Sequence, residues 1–272
     1  MRIKKKIAIL GVGNIGSAIA IGLVQSKIIS PKDVTVTRKN KMLLKQYSAK
    51  GFNATTNNKK AVKDSDIIIL AVTPQQVNGL IEEIISEIDP KRHILLSVVS
   101  GVSIKQIWKH LGFEMPVVRV MPNTAIAIQE SMTCISADGK HTDALDDAIK
   151  IFDALGKTIV IEESLMVPAT ALCACGTAFF LRAVRAASQG GIEIGFHAGD
   201  ARFMAAQTAK GAAAMLLEDG KHPEGEVDKV TTPMGCTISG LNEMEHNGFS
   251  SSLIKGIVTS AKKAETLYAN DD

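Results

Sequence analysis

Two stretches of the chain carry residue types whose spacing could do chemistry. The first is "GVGNIG": Gly11, Val12, Gly13, Asn14, Ile15 and Gly16. It follows the apolar run "KIAIL" and opens the helically spaced "NIGSAIAIGLVQS". Glycines in the order G-x-G-x-x-G at a strand-to-helix turn allow a tight bend and a close main-chain approach. A pyrophosphate then sits on the helix N-terminus. The second stretch is "VTTPMGCTISG", residues 230–240, set among helical segments. Pro233 fixes the approach to the turn, Gly235 lets the backbone come close, and Thr237 places a hydroxyl in the first turn of a following helix. Backbone N–H groups there suit a carboxylate. The same stretch also reads as a plain helix-to-helix turn with Thr237 bonding back along the helix.

The second strand, "VTVT", decides which dinucleotide fits. A site for NAD carries Asp or Glu roughly 20 residues past the glycines, whereas this strand ends in Thr37, Arg38 and Lys39. No acid repels a 2′-phosphate, and Arg38 can pair with one bidentately. NADP(H) is therefore favoured over NAD(H). In an open α/β sheet the ligand lies beyond the strand ends. "AVTPQQ" (Ala71, Val72, Thr73, Pro74 and two glutamines), "SVVSG" and "RVMPNT" leave three later strands there. Asn123 offers an amide near where a nicotinamide would lie, and ordinary loop capping is the competing role.

These residues need a frame, and the first half of the chain alternates strand and helix. "DIIILAV", "HILLSVV" and "MPVVRV" are strands, with helices over about 41–48, 75–86 and 103–110. That order predicts a doubly wound parallel sheet, with both faces of its central strands covered. From about Glu162 the chain becomes helical and rich in small residues. The predicted architecture is α/β: a Rossmann-type domain over 1–161, then an all-helical domain over 162–272 that dimerises.

Composition narrows the partners. A net charge of +3 gives no electrostatic case for nucleic acid. No apolar run reaches the ~20 residues of a membrane span, and the N-terminus lacks a signal-peptide pattern. A cytoplasmic protein with no nucleic-acid or membrane partner is expected. Cys134, Cys173, Cys175 and Cys236 are too few and scattered for a disulfide scaffold or zinc site, so buried free thiols and no metal are expected. The six histidines show neither metal nor nucleophile spacing, and surface or capping roles are expected.

Taken together, "GVGNIG", "AVTPQQ", "SVVSGV", "VRVMPNT", "AAQTAKGAAAMLLEDGKHP" and "KVTTPMGCTISGL" resemble, in order along nearly the whole chain, the pyrroline-5-carboxylate reductase family. The resemblance implies NADPH-dependent hydride transfer to the C=N carbon of a cyclic imino acid, giving L-proline. It implies homodimers, often built into larger rings, whose substrate sites are completed at the dimer interface. Cofactor contacts would come from Gly11 to Gly16, Arg38, Asn57 and Ala71 to Pro74. Substrate contacts would come from Cys236 and Thr237, with Gly235 beside them and Glu163 a further candidate; Thr237 is the catalytic candidate. The chain departs from the family pattern at Ala125, in Cys173 to Ala178, and at Met234 and Cys236. Other readings are a reductase of a related imino acid, a 3-hydroxyacid-dehydrogenase-like enzyme and a non-catalytic NADP-binding protein. The second of these needs an interdomain Lys followed by Asn, and Lys210 is followed by Gly211.

Overall fold

A computed structural model describes residues 2–220 and 222–268, the side chains of Asp219 and of 266–268 excepted. The strands are β1 (Ile7–Leu10), β2 (Val34–Thr37), β3 (Asn53–Thr55), β4 (Ile67–Leu70), β5 (Ile94–Ser97), β6 (Val117–Met121), β7 (Ser131–Ala137) and β8 (Gly156–Val160). The helices of the sheet region are α1 (Asn14–Gln25), α2 (Lys45–Ala49), α3 (Asn58–Lys63), α4 (Pro74–Ile84), α5 (Ile104–Leu111) and α6 (Thr142–Asp153). Then follow α7 (Met166–Ala169), α8 (Gly176–Glu193), α9 (Ala198–Asp219), α10 (Pro223–Val230), α11 (Cys236–His246) and α12 (Phe249–Tyr268).

The strands form one sheet in the order β3-β2-β1-β4-β5-β6-β7-β8. β1 lies between β2 and β4, parallel to both, so the chain reverses its winding direction there. Successive residues of β1 face opposite sides. Ile7 and Ile9 join the cluster holding Ile19, Leu23 and Phe152. Ala8 and Leu10 join the one holding Val77, Ile81 and Ile107. Helices thus cover both faces, as the unbroken apolar runs predicted.

The sheet differs from an all-parallel one at its far edge. β7 runs antiparallel to β6, and β8 is parallel to β7. The link between β6 and β7 spans only residues 122–130, too short for the helical crossover a parallel pair requires. "SMTCISA" gave no apolar run because Ser131 and Thr133 are themselves buried. Their hydroxyls pair at 3.0 Å, and Ser131 also accepts the Asn123 N–H, which keeps these polar atoms satisfied inside.

The chain divides into two compact units. The first ends at Ala174 and takes in the last turns of α12 from Ala261, and the second is Cys175–Ser260. In the second unit α8 and α9 pack closely, and a Cβ on Gly191 would lie 3.0 Å from that of Ala201. Among its described residues only Gly176, Ser188 and Ala201 are buried, while Phe180, Phe203 and Leu217 are 61%, 72% and 81% exposed.

The helical run Glu163–Glu193 is, by length and composition, apolar enough to cross a membrane. This corrects the expectation that no such stretch exists. Eighteen consecutive residues within that run have a mean hydropathy of 1.7, and Arg182 and Arg185 follow in its second half.

Candidate cofactor cleft and substrate turn

A cleft of about 910 Å³ opens at the carboxyl ends of β1, β2, β4 and β5. Each glycine of the loop has a separate task. Gly11 has φ +100, and a Cβ there would meet the Ala71 carbonyl oxygen at 2.7 Å. A Cβ on Gly16 would sit 2.1 Å from the Gly11 carbonyl oxygen, so only glycine lets α1 lie this close to β1. Around Gly13 nothing lies within 4 Å. Its backbone is open to the cleft, and it caps α1 with no side-chain hydrogen bond. The first-turn N–H groups of α1, and the positive end of its dipole, are thus left for an anion. Thr37 anchors the loop, its carbonyl accepting from the N–H groups of Gly11 (3.2 Å) and Val12 (3.0 Å).

Arg38 lies at the edge of the cleft, its Nη1 donating to the Val12 carbonyl at 2.7 Å. One edge of the guanidinium is tethered to the glycine loop while Lys39 and Asn40 extend the same wall. Ala71, Val72, Thr73 and Pro74 line the opposite side with Gln75 and Gln76.

Of the expected cofactor residues, Gly11, Val12, Gly13, Asn14, Ile15, Arg38 and Ala71 to Pro74 therefore meet in one cleft. Gly16, Asn57 and Asn123 do not line it. Asn57 caps α3, its Oδ1 accepting the Lys60 N–H at 2.9 Å, and its neighbours Thr56 and Asn58 face the cleft instead. Asn123 is spent on structure: its Oδ1 accepts from Ala125 N–H and its Nδ2 donates to the Cys173 carbonyl at 3.3 Å. Thr56 and Asn58 follow β3, and extending the strand-end argument to that short strand would have found them.

Glu163 belongs to the first unit. Its Oε1 accepts from the Ile104 N–H at the start of α5 (2.8 Å) and from Arg119 Nη1 (3.1 Å). Arg119 is 5% exposed. Burial pulls its pKa down from the ordinary arginine value, and the Glu163 charge pulls it back up. The carboxylate thus ties β6 and α5 to the start of the helical region. Arg119 was missed by sequence reasoning, hidden in the apolar run "PVVRV".

In the second unit, "TTPMG" forms a tight turn. The Gly235 N–H donates to the Thr232 carbonyl at 2.9 Å. Pro233 precedes Met234, which has φ +60, and this is the type II pattern that ordinarily places Gly at the third position. Met234, fully exposed, occupies that position with a side chain. A Cβ on Gly235 would lie 2.4 Å from Thr232 Oγ1 and 2.9 Å from its carbonyl oxygen. Gly235 caps α11 without a side-chain hydrogen bond, leaving the N–H groups that follow it without a side-chain acceptor there. Ser239 makes a back-bond of its own, its Oγ donating to the Gly235 carbonyl at 3.2 Å. Thr237 is half-buried, while Cys236 is exposed, contrary to the buried thiol expected. His93 also departs from expectation: it is buried, with Nδ1 accepting the Asp89 N–H at 2.9 Å.

Residues 163–267 match the family described as "Pyrroline-5-carboxylate reductase dimerisation", and residues 6–101 match "NADP oxidoreductase coenzyme F420-dependent". Over 97% of its length the chain is 47% identical to pyrroline-5-carboxylate reductase 2 of Dictyostelium discoideum, covering 94% of that protein. The chain belongs to the pyrroline-5-carboxylate reductase family. It is also 52% identical, over 96% of its length, to reductase 1 of the same organism, but spans only 50% of that longer relative. A solved structure of pyrroline carboxylate reductase from Plasmodium falciparum with NADP bound shares the fold. Its TM-score is 0.88 at 23% identity, covering 98% of this chain and 100% of that one. The dimerisation match falls on the helices whose aromatic and leucine side chains are exposed, which gives those side chains a protein partner.

Proposed function

We propose that this chain reduces 1-pyrroline-5-carboxylate to L-proline with NADPH, as a homodimer or larger assembly. The reading is carried by the intact glycine cradle, open at Gly13 and uncapped at α1, on a chain that shares nearly its whole length with a named reductase. Bound there, NADPH supplies a hydride. Gly13 to Ile15 would hold the pyrophosphate, and Arg38 with Lys39 the 2′-phosphate. The untethered edge of the Arg38 guanidinium and the lack of an acid at the end of β2 favour NADPH over NADH.

An iminium accepts hydride readily, so the protein's work is binding and orientation. The N–H groups that open α11 would hold the substrate carboxylate. The half-buried Thr237, in the first turn of α11, would hydrogen-bond the ring nitrogen through its hydroxyl. Arg119 holds Glu163, which leaves that carboxylate a supporting role in this proposal.

The test follows NADPH oxidation spectrophotometrically with pyrroline-5-carboxylate, and with piperideine-6-carboxylate and a 3-hydroxy acid plus NADP⁺ as comparators. Thr237→Ala is expected to lower the rate on the order of 10-fold to 100-fold, the scale for one hydrogen bond to a developing charge. Turnover of the 3-hydroxy acid alone, or no turnover at all, would sink the reading. An unchanged kcat and KM in a folded Thr237→Ala would remove that residue from it. Sedimentation of the full chain measures whether assembly proceeds past the dimer.

A further inference from the structure

Cys134 and Cys173 are remote in sequence, yet their sulfur atoms lie 3.7 Å apart. Neither lines the cofactor cleft nor belongs to the turn before α11. Cys134 is buried on β7, in register with Met121 of β6. Cys173 is half-buried in the π-helical stretch Thr170–Cys175. That stretch is held at Cys173 itself, whose carbonyl accepts from the Asn123 amide. Around the sulfurs lie Met121, Met166, Ile161 and Ala169, all apolar, and no group of His, Cys, Asp or Glu suited to a metal occurs among the described residues. A metal role is thereby disfavoured, and reaction of sulfur with sulfur remains.

The two thiols are unlike. A hydrogen bond from the Cys134 thiol draws Cys173 down to about 7, against the opposing effect of burial. Cys134 is pushed up, first by that hydrogen bond and then by burial. A substantial share of Cys173 is then thiolate at neutral pH, the reactive form, and it is the more exposed of the two. The 3.7 Å between the sulfurs has to close to a bond of about 2.05 Å, and both residues already pack in one cluster.

We infer that Cys134 and Cys173 form a reversible intrachain disulfide when the protein meets a hydroperoxide. The Cys173 thiolate attacks the peroxide oxygen, breaking the O–O bond and giving a sulfenic acid with release of the alcohol, or of water from hydrogen peroxide. The Cys134 sulfur then attacks the Cys173 sulfur, its proton leaving with the departing hydroxyl as water. Two thiols lose two electrons and two protons, and the peroxide is reduced. The bond ties β7 to the π-helical stretch and, through the Cys173 carbonyl, to Asn123 at the end of β6. A thiol–disulfide exchange reductant restores both thiols.

The full-length protein, fully reduced, is treated with a small excess of hydrogen peroxide at neutral pH and alkylated. Intact mass and peptide mapping are then read. The expected result is loss of two hydrogen masses, one peptide pair joined through Cys134 and Cys173, and full reversal by dithiothreitol. The melting temperature should rise on oxidation, because closing the loop between the two cysteines restricts the unfolded chain. The loss should vanish in Cys134→Ala and in Cys173→Ser and persist in Cys175→Ser. A bridge through Cys175 or Cys236 overturns the inference. So does conversion of Cys173 to a sulfinic acid with Cys134 still alkylatable. Because mapping is done on the unaltered protein, failure of a variant to fold leaves the result decisive.

Discussion

Glu163 is the residue whose removal should cost the sheet unit most for a change so near its surface. Its carboxylate is the partner of Arg119, whose side chain is 6% exposed against 32% for Glu163. Breaking a buried pair by deleting one member costs about 3–5 kcal/mol, because the surviving charge stays buried and unpaired. Water reaches Glu163 in part, which places Glu163→Ala near the lower end, about 3 kcal/mol. Loss of the acceptor for the Ile104 N–H adds about 1 kcal/mol. Glu163→Gln keeps an acceptor for both donors and loses only the charge, so about half that cost is expected. Arg119→Met with Glu163→Gln removes the buried cation while still capping Ile104, and should recover most of the loss. Urea unfolding at one fixed protomer concentration measures all three, since association contributes to apparent stability. The reasoning is refuted if Glu163→Ala unfolds within about 0.5 kcal/mol of the parent, the range of an ordinary surface change. It is refuted equally if the double variant is less stable than Glu163→Ala.

Other expected outcomes are as direct. Met234→Gly should stabilise the folded chain by up to about 1 kcal/mol in urea titration, because an L-residue at φ +60 costs ~1–2 kcal/mol and glycine returns part of that as unfolded-state entropy. Gly235→Ala should open the turn through its contact with Thr232, abolishing turnover while NADPH binding, read by fluorescence, survives. Arg38→Leu should raise the KM for NADPH on the order of 10-fold to 100-fold, the loss of a charge-assisted hydrogen bond, and leave that for NADH nearly unchanged. Burial, and then the Arg92 charge, hold His93 below its usual 6.5. A depressed value in the folded state means its contribution is complete above pH 6.5 and is lost as pH falls through the lowered value. His93→Gln should therefore flatten the fall of stability in acid, measured by thermal melts across that window.

β1, β2, β4, β5 and β6 and the glycine loop were legible in the sequence because each rests on local pattern, apolar or β-branched runs and glycines at a fixed spacing, whereas β3, "NAT", is too short and too polar to show one. β7 was hidden because its buried hydroxyls are satisfied by each other and by a loop N–H, a pairing that no periodicity reveals. Arg119 and Glu163 are far apart in the chain, and only the fold brings them together. Asn123 looked like a ligand group from its place after β6, but its amide is occupied by Ala125 and Cys173. That Met234 fills a place a type II turn ordinarily gives to Gly became visible only once its backbone φ was known.

Among its described residues the helical unit keeps only Gly176, Ser188 and Ala201 from water and leaves Phe180, Phe196, Phe203 and Phe249 exposed. With so little interior of its own, this unit should draw part of its stability from meeting a second copy. Refolding should accordingly become second order at low concentration, and the midpoint of thermal unfolding should climb with protomer concentration. Defects along this face would lower the amount of enzyme present while leaving the turnover of each assembled site intact. Co-expression with a folded but inactive protomer would distribute its lesion into mixed assemblies.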